Sequence, residues 1–129
     1  MTLVPNRSSC TPAPSVIDRD WPYQVALPDD ICTDRNFTMI AKFCQDRDFS
    51  HQTRHVQAIW PSGKYETYRL HCFADASFAR AFCDHFTAQM FDPKRDRENG
   101  NVKGVWRRTG EYKQIVELGP LSMPEILRS

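Results

Sequence analysis

The chain has 129 residues, a length typical of one compact domain rather than several. Its 40% apolar and 26% charged residues are those of an ordinary globular protein, which excludes collagen-like, coiled-coil and wholly disordered chains. Because 17 basic side chains nearly balance 16 acidic ones, no overall field draws the protein to nucleic acid or to an anionic membrane. No apolar run approaches the ~18 residues that a membrane helix needs, so no membrane association is expected.

The cysteines favour a reducing compartment. The chain contains five of them, an odd number, and its first ten residues lack the apolar core of a secretory signal. Both features argue against a disulfide framework and predict a cytoplasmic protein. Cys44, Cys72 and Cys83 fall within apolar patterns, where we expect each to pack as a small hydrophobic residue.

The first half of the chain predicts an arm, a strand and a helix. Residues 1–20 carry three prolines and no apolar period, which indicates a disordered or loosely ordered N-terminal arm. In residues 23–27, large apolar side chains alternate with smaller or polar ones, and a proline lies at each end. This pattern predicts a short strand. Apolar residues then recur at helical spacing from Phe37 to Cys44, which predicts a helix capped by Thr33 or Asp34.

A hairpin follows, because the apolar period changes to two. Residues 54–60 and 65–73 read as strands on either side of a break that contains Gly63. Placing the apolar residues of both strands on one face requires an odd number of loop residues. The predicted opposed pairs are Val56–Leu70, His55–His71, Gln57–Arg69 and Ile59–Thr67.

The second half predicts another helix and further strands. Phenylalanines at a spacing of four follow the capping residue Asp75, so a helix is expected to run as far as Met90. Residues 102–108 read as a strand, and residues 112–118 as a further strand or a short helix. Residues 119–129 then read as a C-terminal tail.

The order βαββαβ over residues 21–118 predicts a single α+β domain. The economical arrangement is a ferredoxin-like two-layer sandwich, with an antiparallel sheet, both helices on one face and an optional extra C-terminal strand. A β-meander with helices at one end is the alternative. In the sandwich, the helices would meet the sheet at Phe37, Ile40, Phe82 and Phe86.

Two stretches carry a resemblance to known sequences: WPYQVALPDDIC at 21–32 and HCFADASFARAF at 71–82. They resemble an uncharacterised family of small bacterial hypothetical proteins, over residues 21–92. Since neither stretch contains a recognised catalytic signature, the resemblance implies no activity and no site residues.

Cofactor and metal motifs are missing. No phosphate-binding glycine loop is present, so neither a nucleotide nor any other cofactor is expected. Cys44, His51 and His55 lie close in sequence, but they lack the spacing of a closed zinc site. Asp29 and Asp30 lie where some ferredoxin-like nucleases hold a metal, an argument from fold analogy alone. We therefore predict no metal site.

Residues 94–113 form a basic segment, with seven basic side chains against three acidic ones. Interleaved aromatic residues are typical of proteins that bind single-stranded nucleic acid. The predicted binding residues are Lys103, Trp106, Arg107, Arg108, Tyr112 and Lys113, and we expect both arginines to reach solvent. The alternative is a solvated edge strand whose charges discourage pairing with another sheet.

The predicted hairpin register makes a second candidate site. It places His55 beside His71, with Arg69 nearby, on the sheet face away from the helices. Two histidines and an arginine are the minimum for acid–base cleavage of RNA, which makes these three residues the catalytic candidates. The alternative is an ordinary polar face exposed to water.

These observations favour a non-enzymatic binding module. It would contact a protein or single-stranded nucleic acid through the open sheet face or the basic C-terminal strand. One alternative is a small metal- or histidine-dependent nuclease on the same scaffold. The other is a structural subunit that forms a homodimer through an edge strand.

Overall fold

The computed structural model describes residues 11–128, which form four helices and seven strands. The helices are α1 (Pro14–Asp20), α2 (Asp34–Asp46), α3 (Ala76–Phe86) and α4 (Pro93–Asp96). The strands are β1 (Tyr23–Pro28), β2 (Gln52–Ile59), β3 (Tyr65–Phe73), β4 (Gln89–Phe91), β5 (Trp106–Arg107), β6 (Glu117–Leu118) and β7 (Leu121–Ser122). Short 3-10 turns lie at Asp29–Ile31, Glu98–Gly100 and Glu125–Leu127.

Five strands make one mixed sheet in the order β4-β1-β3-β2-β5, curled into a half-barrel. Neighbouring strands are antiparallel except β2 and β5, which are parallel. Strands β6 and β7 form a small second sheet. The predicted fold class, a ferredoxin-like two-layer sandwich with two helices on an antiparallel sheet, is therefore wrong.

One cause of the difference is the early end of α3. The predicted helix runs to Met90, but α3 ends at Phe86 because Thr87 adopts a left-handed conformation with φ 52°. The N–H of Ala88 donates to the carbonyl of Cys83 at 3.0 Å, which closes the last turn. The chain then reverses, and residues 89–91 pair with β1 as the edge strand β4.

The second cause lies in the segment predicted as the strand 102–108. Only Trp106 and Arg107 are strand, and they pair with the end of β2 in parallel. The preceding loop is held by Arg97, which is 3% exposed and donates to the carbonyls of Gly104 at 3.0 Å and His55 at 2.9 Å. The segment therefore adds a short parallel edge strand beside β2 instead of the antiparallel strand that we expected.

Both faces of the sheet are covered, by two separate cores. The first lies between the sheet and helices α2 and α3, and its buried members include Val25, Leu27, Phe73, Phe82 and Phe86. The second lies on the opposite face, as alternation along each strand requires. Its buried members are Ile17, Ala26, Val56, Ala58, Tyr68, Leu70, Cys72, Phe91 and Trp106.

The apolar face of the hairpin therefore points away from the helices that we expected it to meet. Its residues are shielded by Ile17 of α1 and by Trp106 of β5 instead. A charged contact holds α1 in place, since Arg54 Nη1 lies 2.5 Å from Asp18 Oδ2 and both side chains are largely buried. The sheet face away from α2 and α3, which we expected to be open, is accordingly covered.

The predicted contacts between helices and sheet are confirmed at Ile40, Phe82 and Phe86, which are all buried. The prediction for Phe37 is wrong, because 57% of the surface of this residue is exposed. Among the cysteines, Cys44 and Cys72 are buried free thiols as expected, and Cys83 is half-buried.

The two chain ends contribute buried residues. Within the segment predicted as an N-terminal arm, residues 14–20 form α1 and Ile17 is buried, while residues 1–10 lie outside the described residues. Within the predicted C-terminal tail, Leu121 and Met123 are buried in the first core. Buried residues therefore also lie before residue 21 and after residue 118, the limits of the predicted domain.

The packing of Phe82 generates a stability prediction. This ring is fully buried among other aromatic rings, so Phe82→Ala leaves a cavity and is expected to cost about 3–5 kcal/mol of unfolding free energy. Phe37→Ala on α2, where the ring is 57% exposed, is the matched control and should cost much less. Urea unfolding measures both, and equal effects of the two substitutions would contradict the described packing.

Candidate functional site

A cavity of about 240 Å³ lies between α2 and the β2–β3 hairpin. We call it the histidine cavity; it is lined by Phe37, Ile40, Ala41, His51, Thr53, His55, Arg69 and His71. Helix α2 supplies its apolar wall, and the two strands supply its polar wall. Thr53 and His55 are exposed, so the cavity is open to water along β2.

The hairpin register brings the polar residues together. His55 is opposite Arg69, and Thr53 is opposite His71. The predicted pairs Val56–Leu70 and His55–His71 are wrong by two residues, because the loop is Pro61–Gly63 and is closed by a hydrogen bond from Trp60 N–H to the Lys64 carbonyl at 2.9 Å. A shift of two keeps every side chain on its face, so the two histidines and Arg69 still share one side of the sheet.

That side is the helix side, which changes the chemistry of His71. The residue is 4% exposed, and its ring lies 4.9 Å from the ring of Phe82 between centroids. Burial, helped by nearby His51 and Arg69, lowers the pKa of His71 to about 3, so the imidazole is neutral at physiological pH. Its Nδ1 atom is enclosed and has no hydrogen-bond partner among residues 11–128. An enclosed polar atom without a partner costs roughly 1–3 kcal/mol, and such atoms in folded proteins point to a ligand, an ion or a water.

His51 is the second histidine of the row, with its ring 5.5 Å from that of His71 between centroids. Its Nδ1 lies 3.5 Å from the carbonyl oxygen of Phe49, and because a carbonyl only accepts, this contact favours the tautomer with the ring proton on Nδ1. Nε2 is then the nitrogen that carries the lone pair. Burial lowers the pKa of His51, although the contact with Phe49 partly opposes that shift.

The charged end of the cavity consists of Arg69, Asp29 and His55. Arg69 Nε donates to Asp29 Oδ1 at 3.0 Å, and the same oxygen lies 3.4 Å from His55 Nε2. Arg69 also donates from Nη1 to the carbonyl of Cys32 at 3.4 Å. One fixed positive charge therefore faces one fixed negative charge, and the guanidinium is held in place by two partners.

These groups can bind an anion and exchange protons with it. Arginine is the preferred side chain for carboxylates and phosphates because its planar fork matches their oxygens. The neutral imidazoles offer one donor and one acceptor nitrogen each. No group of three or more His, Cys, Asp or Glu side chains in the described part of the chain is arranged to hold a metal ion.

Sequence reasoning missed His51 and Asp29 as members of this site, although both were considered as metal ligands. His51 shares parity with Thr53 and His55, so alternation continued one residue before β2 was a usable signal. Asp29 carried no such signal, because its approach to Arg69 depends on the pairing of β1 with β3.

The predicted basic binding residues do not form one exposed stripe. Trp106 is 6% exposed and makes edge contacts with the rings of Tyr68 and Phe91, so its buried ring is not accessible for stacking on a base. Tyr112 lies edge-on to Trp60 and is half-buried.

The charged members of the set divide into two groups. Lys103, Arg107 and Lys113 are exposed, and Arg107 Nε is paired with Glu98 Oε2 at 2.6 Å. Arg108 does not reach solvent fully, contrary to expectation. Its guanidinium lies 4.0 Å from the centre of the Trp106 ring.

Arg108 is therefore expected to stabilise the fold, unlike Arg107. Its guanidinium also lies over Trp60 and donates to Gln89 Oε1 at 3.1 Å, so Arg108→Ala should cost about 1–2 kcal/mol. Arg107→Ala, which removes only an exposed ion pair, should leave stability nearly unchanged. Thermal and urea unfolding of the two variants test the difference, and equal stabilities would show that the stacking contributes nothing.

The unpaired Nδ1 of His71 predicts that this residue limits stability. His71→Phe keeps a flat ring and removes the enclosed polar atom, so we expect it to raise the unfolding free energy by about 1 kcal/mol at pH 7. The folded-state pKa of His71 lies below its value of 6.5 in the unfolded chain, so the unfolded state binds the extra proton first. Wild-type stability should thus fall as the pH drops below about 6.5, by up to ~1.4 kcal/mol per pH unit, and His71→Phe should remove that component.

Urea unfolding at several pH values measures both effects. His85→Phe is a suitable control, because His85 is exposed and lies outside the cavity. Destabilisation by His71→Phe at pH 7 would show that the imidazole has a structural partner.

Every helix among residues 11–128 is too short or too polar to span a lipid bilayer. Comparisons of this chain with protein-family models, with curated proteins and with solved structures found no match. The resemblance over residues 21–92 to a family of small bacterial proteins therefore stays a prediction, and the site has to be interpreted from its own geometry.

Proposed function

We propose that this protein is a non-enzymatic binding module that takes up a small anionic molecule in the histidine cavity. The observation that carries the proposal is the imidazole of His71, which lines the cavity, is almost fully buried and has an enclosed Nδ1 without a partner in the described chain. A small ligand or an ordered water that forms a hydrogen bond with Nδ1 would offset that cost.

The size of the cavity indicates the size of the ligand. A volume of about 240 Å³ exceeds the ~150 Å³ in which a single benzene ring is bound in an engineered apolar cavity. The wall formed by Phe37, Ile40 and Ala41 suits a flat apolar body. One aromatic ring with one acidic group would fill the space.

The charge of the ligand follows from Arg69. Its guanidinium is anchored by Asp29 and by the carbonyl of Cys32, and it is partly exposed at the cavity. An anchored guanidinium loses little side-chain entropy when it binds a carboxylate or a phosphate. This supports an oxyanion as the recognised group.

The partners predicted from the sequence stay predictions. The basic segment could contact a protein or single-stranded nucleic acid through the exposed charges of Lys103, Arg107 and Lys113. Its Trp106 is buried and does not contribute a stacking surface. A homodimer through the edge strands is the remaining alternative, with β4 and β5 as the edges of the main sheet.

The histidine-dependent nuclease is a second candidate for the same cavity. The favouring observation is the closeness of His51 and His71 to each other, next to Arg69. Cleavage of a phosphodiester would need one neutral and one protonated imidazole. Incubation with single-stranded RNA tests this candidate. If wild type cleaves the RNA and His51→Gln does not, the function is that of a nuclease and not of a binding module.

Benzoate and its neutral counterpart benzamide test the binding proposal. We expect calorimetric titration to show benzoate binding at least about tenfold more tightly than benzamide, because only benzoate makes a charged hydrogen bond with Arg69. Arg69→Gln should weaken benzoate binding by about tenfold or more and leave benzamide binding nearly unchanged. Arg107→Gln, which alters an exposed arginine outside the cavity, should have no effect.

The double variant D29N/R69Q separates two causes of weakening. If the single variant binds benzoate poorly only because Asp29 is left without its partner, the double variant will recover the affinity. Benzoate that does not bind wild type, or that binds no better than benzamide, would contradict the proposed function.

A further inference from the structure

We infer that an anion enters the histidine cavity together with one proton, and that His51 is the group that takes the proton up. This inference rests on the proposed function and goes further by naming how binding is regulated. The cavity would then respond to pH, holding its ligand more tightly as the solution becomes more acidic.

The fixed charges of the cavity supply the first step. Among the lining side chains of residues 11–128, Arg69 alone carries a permanent positive charge, and Asp29 Oδ1 lies 3.0 Å from its Nε. Because the pair is neutral as a whole, an incoming anion gains a hydrogen bond from Arg69 but little net electrostatic attraction. A net positive charge arises when one of the imidazoles becomes protonated.

The contacts of the histidines decide which one accepts the proton. Protonated His71 would bury a charged Nδ1–H with no acceptor in the described residues, which is strongly unfavourable. His51 differs, because the carbonyl of Phe49 accepts from its Nδ1 and continues to do so in the imidazolium. The proton therefore goes to Nε2 of His51, the nitrogen that carries the lone pair in the neutral ring.

Other groups around His51 do not replace it. From β2, the side chain of His55 is 56% exposed and its Nε2 lies 3.4 Å from Asp29 Oδ1 of the 29–31 turn, so this ring faces Asp29 and the solvent rather than the enclosed part of the cavity. From β3, Arg69 already carries a permanent positive charge, and protonated His71 would bury an Nδ1–H with no acceptor in the described residues. Helix α2 adds only Phe37, Ile40 and Ala41 to the lining, and the ring of Phe73 lies 5.5 Å from His51, so these neighbours do not titrate.

The direction of the pH effect follows from these contacts. Burial lowers the pKa of His51 in the free protein, and a bound anion raises it. Between the two pKa values, binding takes up a proton, and by linkage the affinity falls as the pH rises. The fall approaches about tenfold per pH unit for one full proton and levels off below the pKa of the free protein.

Titration calorimetry with benzoate measures the proton directly. The full chain is titrated near pH 7 in two buffers with different ionisation enthalpies, and the difference in heat gives the number of protons taken up. Benzoate itself stays ionised above about pH 5.5 and does not contribute. We expect proton uptake with benzoate and none with benzamide.

Three histidine variants assign the proton. His51→Gln should still bind benzoate, more weakly, but without proton uptake and without dependence on pH between about pH 6 and pH 8. His85 lies outside the cavity, so His85→Gln should behave as wild type. If His55→Gln rather than His51→Gln abolishes the uptake, the assignment to His51 is wrong.

NMR of the His51 ring in wild type gives an independent readout that does not depend on any variant folding. Its pKa should rise when benzoate is added. Benzoate binding with no proton uptake would overturn this inference and leave the proposed function standing. Absence of benzoate binding altogether would overturn both.

Discussion

The arrangement of this protein depends on two neighbouring strands, β1 and β3, that are buried on both faces. Residues 24–28 of β1 and residues 70–73 of β3 are all buried, so each strand needs a covering layer on both faces. Helices α2 and α3 cover one face with help from Leu121 and Met123. Helix α1 and the segment that leads to Trp106 cover the other. Without α1 and the segment around Trp106, the second apolar face of the sheet would be exposed to water. The fold therefore needs more layers than a simple helix-on-sheet sandwich.

The same constraint creates the candidate site. A polar residue placed on β3 is enclosed by whatever covers that strand, and His71 lies beneath Phe82 of α3 for this reason. Enclosure keeps the imidazole neutral and leaves its Nδ1 without a partner in the described chain. Towards β2 the cover is incomplete, so the cavity opens beside His55 and Arg69. Binding chemistry thus arises at the boundary between the covered and the uncovered part of one sheet face.

Local chemistry explains which features were predictable. Asp75 caps α3 by accepting from Ser77 N–H, as its position before the apolar period indicated. The hairpin was also predictable, and the faces of its side chains were correctly grouped, because alternation depends only on neighbours in sequence. The position of the three-residue loop was not, because an odd loop shifted by one residue satisfies the same alternation and the sequence does not distinguish the two registers. The turn at Thr87 escaped prediction because the helical period continues through Met90 in the sequence although the backbone does not.

The amino-acid sequence by itself determined the two long helices near their observed starts, the hairpin, and a shared face for His55, Arg69 and His71. Only the tertiary structure decided which layer covers that face, because both faces of a strand carry side chains and the sequence does not say which helix packs where. It also decided that Trp106 is buried, that Asp29 neutralises Arg69 and that His51 joins the cavity. Each of these depends on contacts between residues far apart in the chain, where burial rather than local propensity sets charge and exposure.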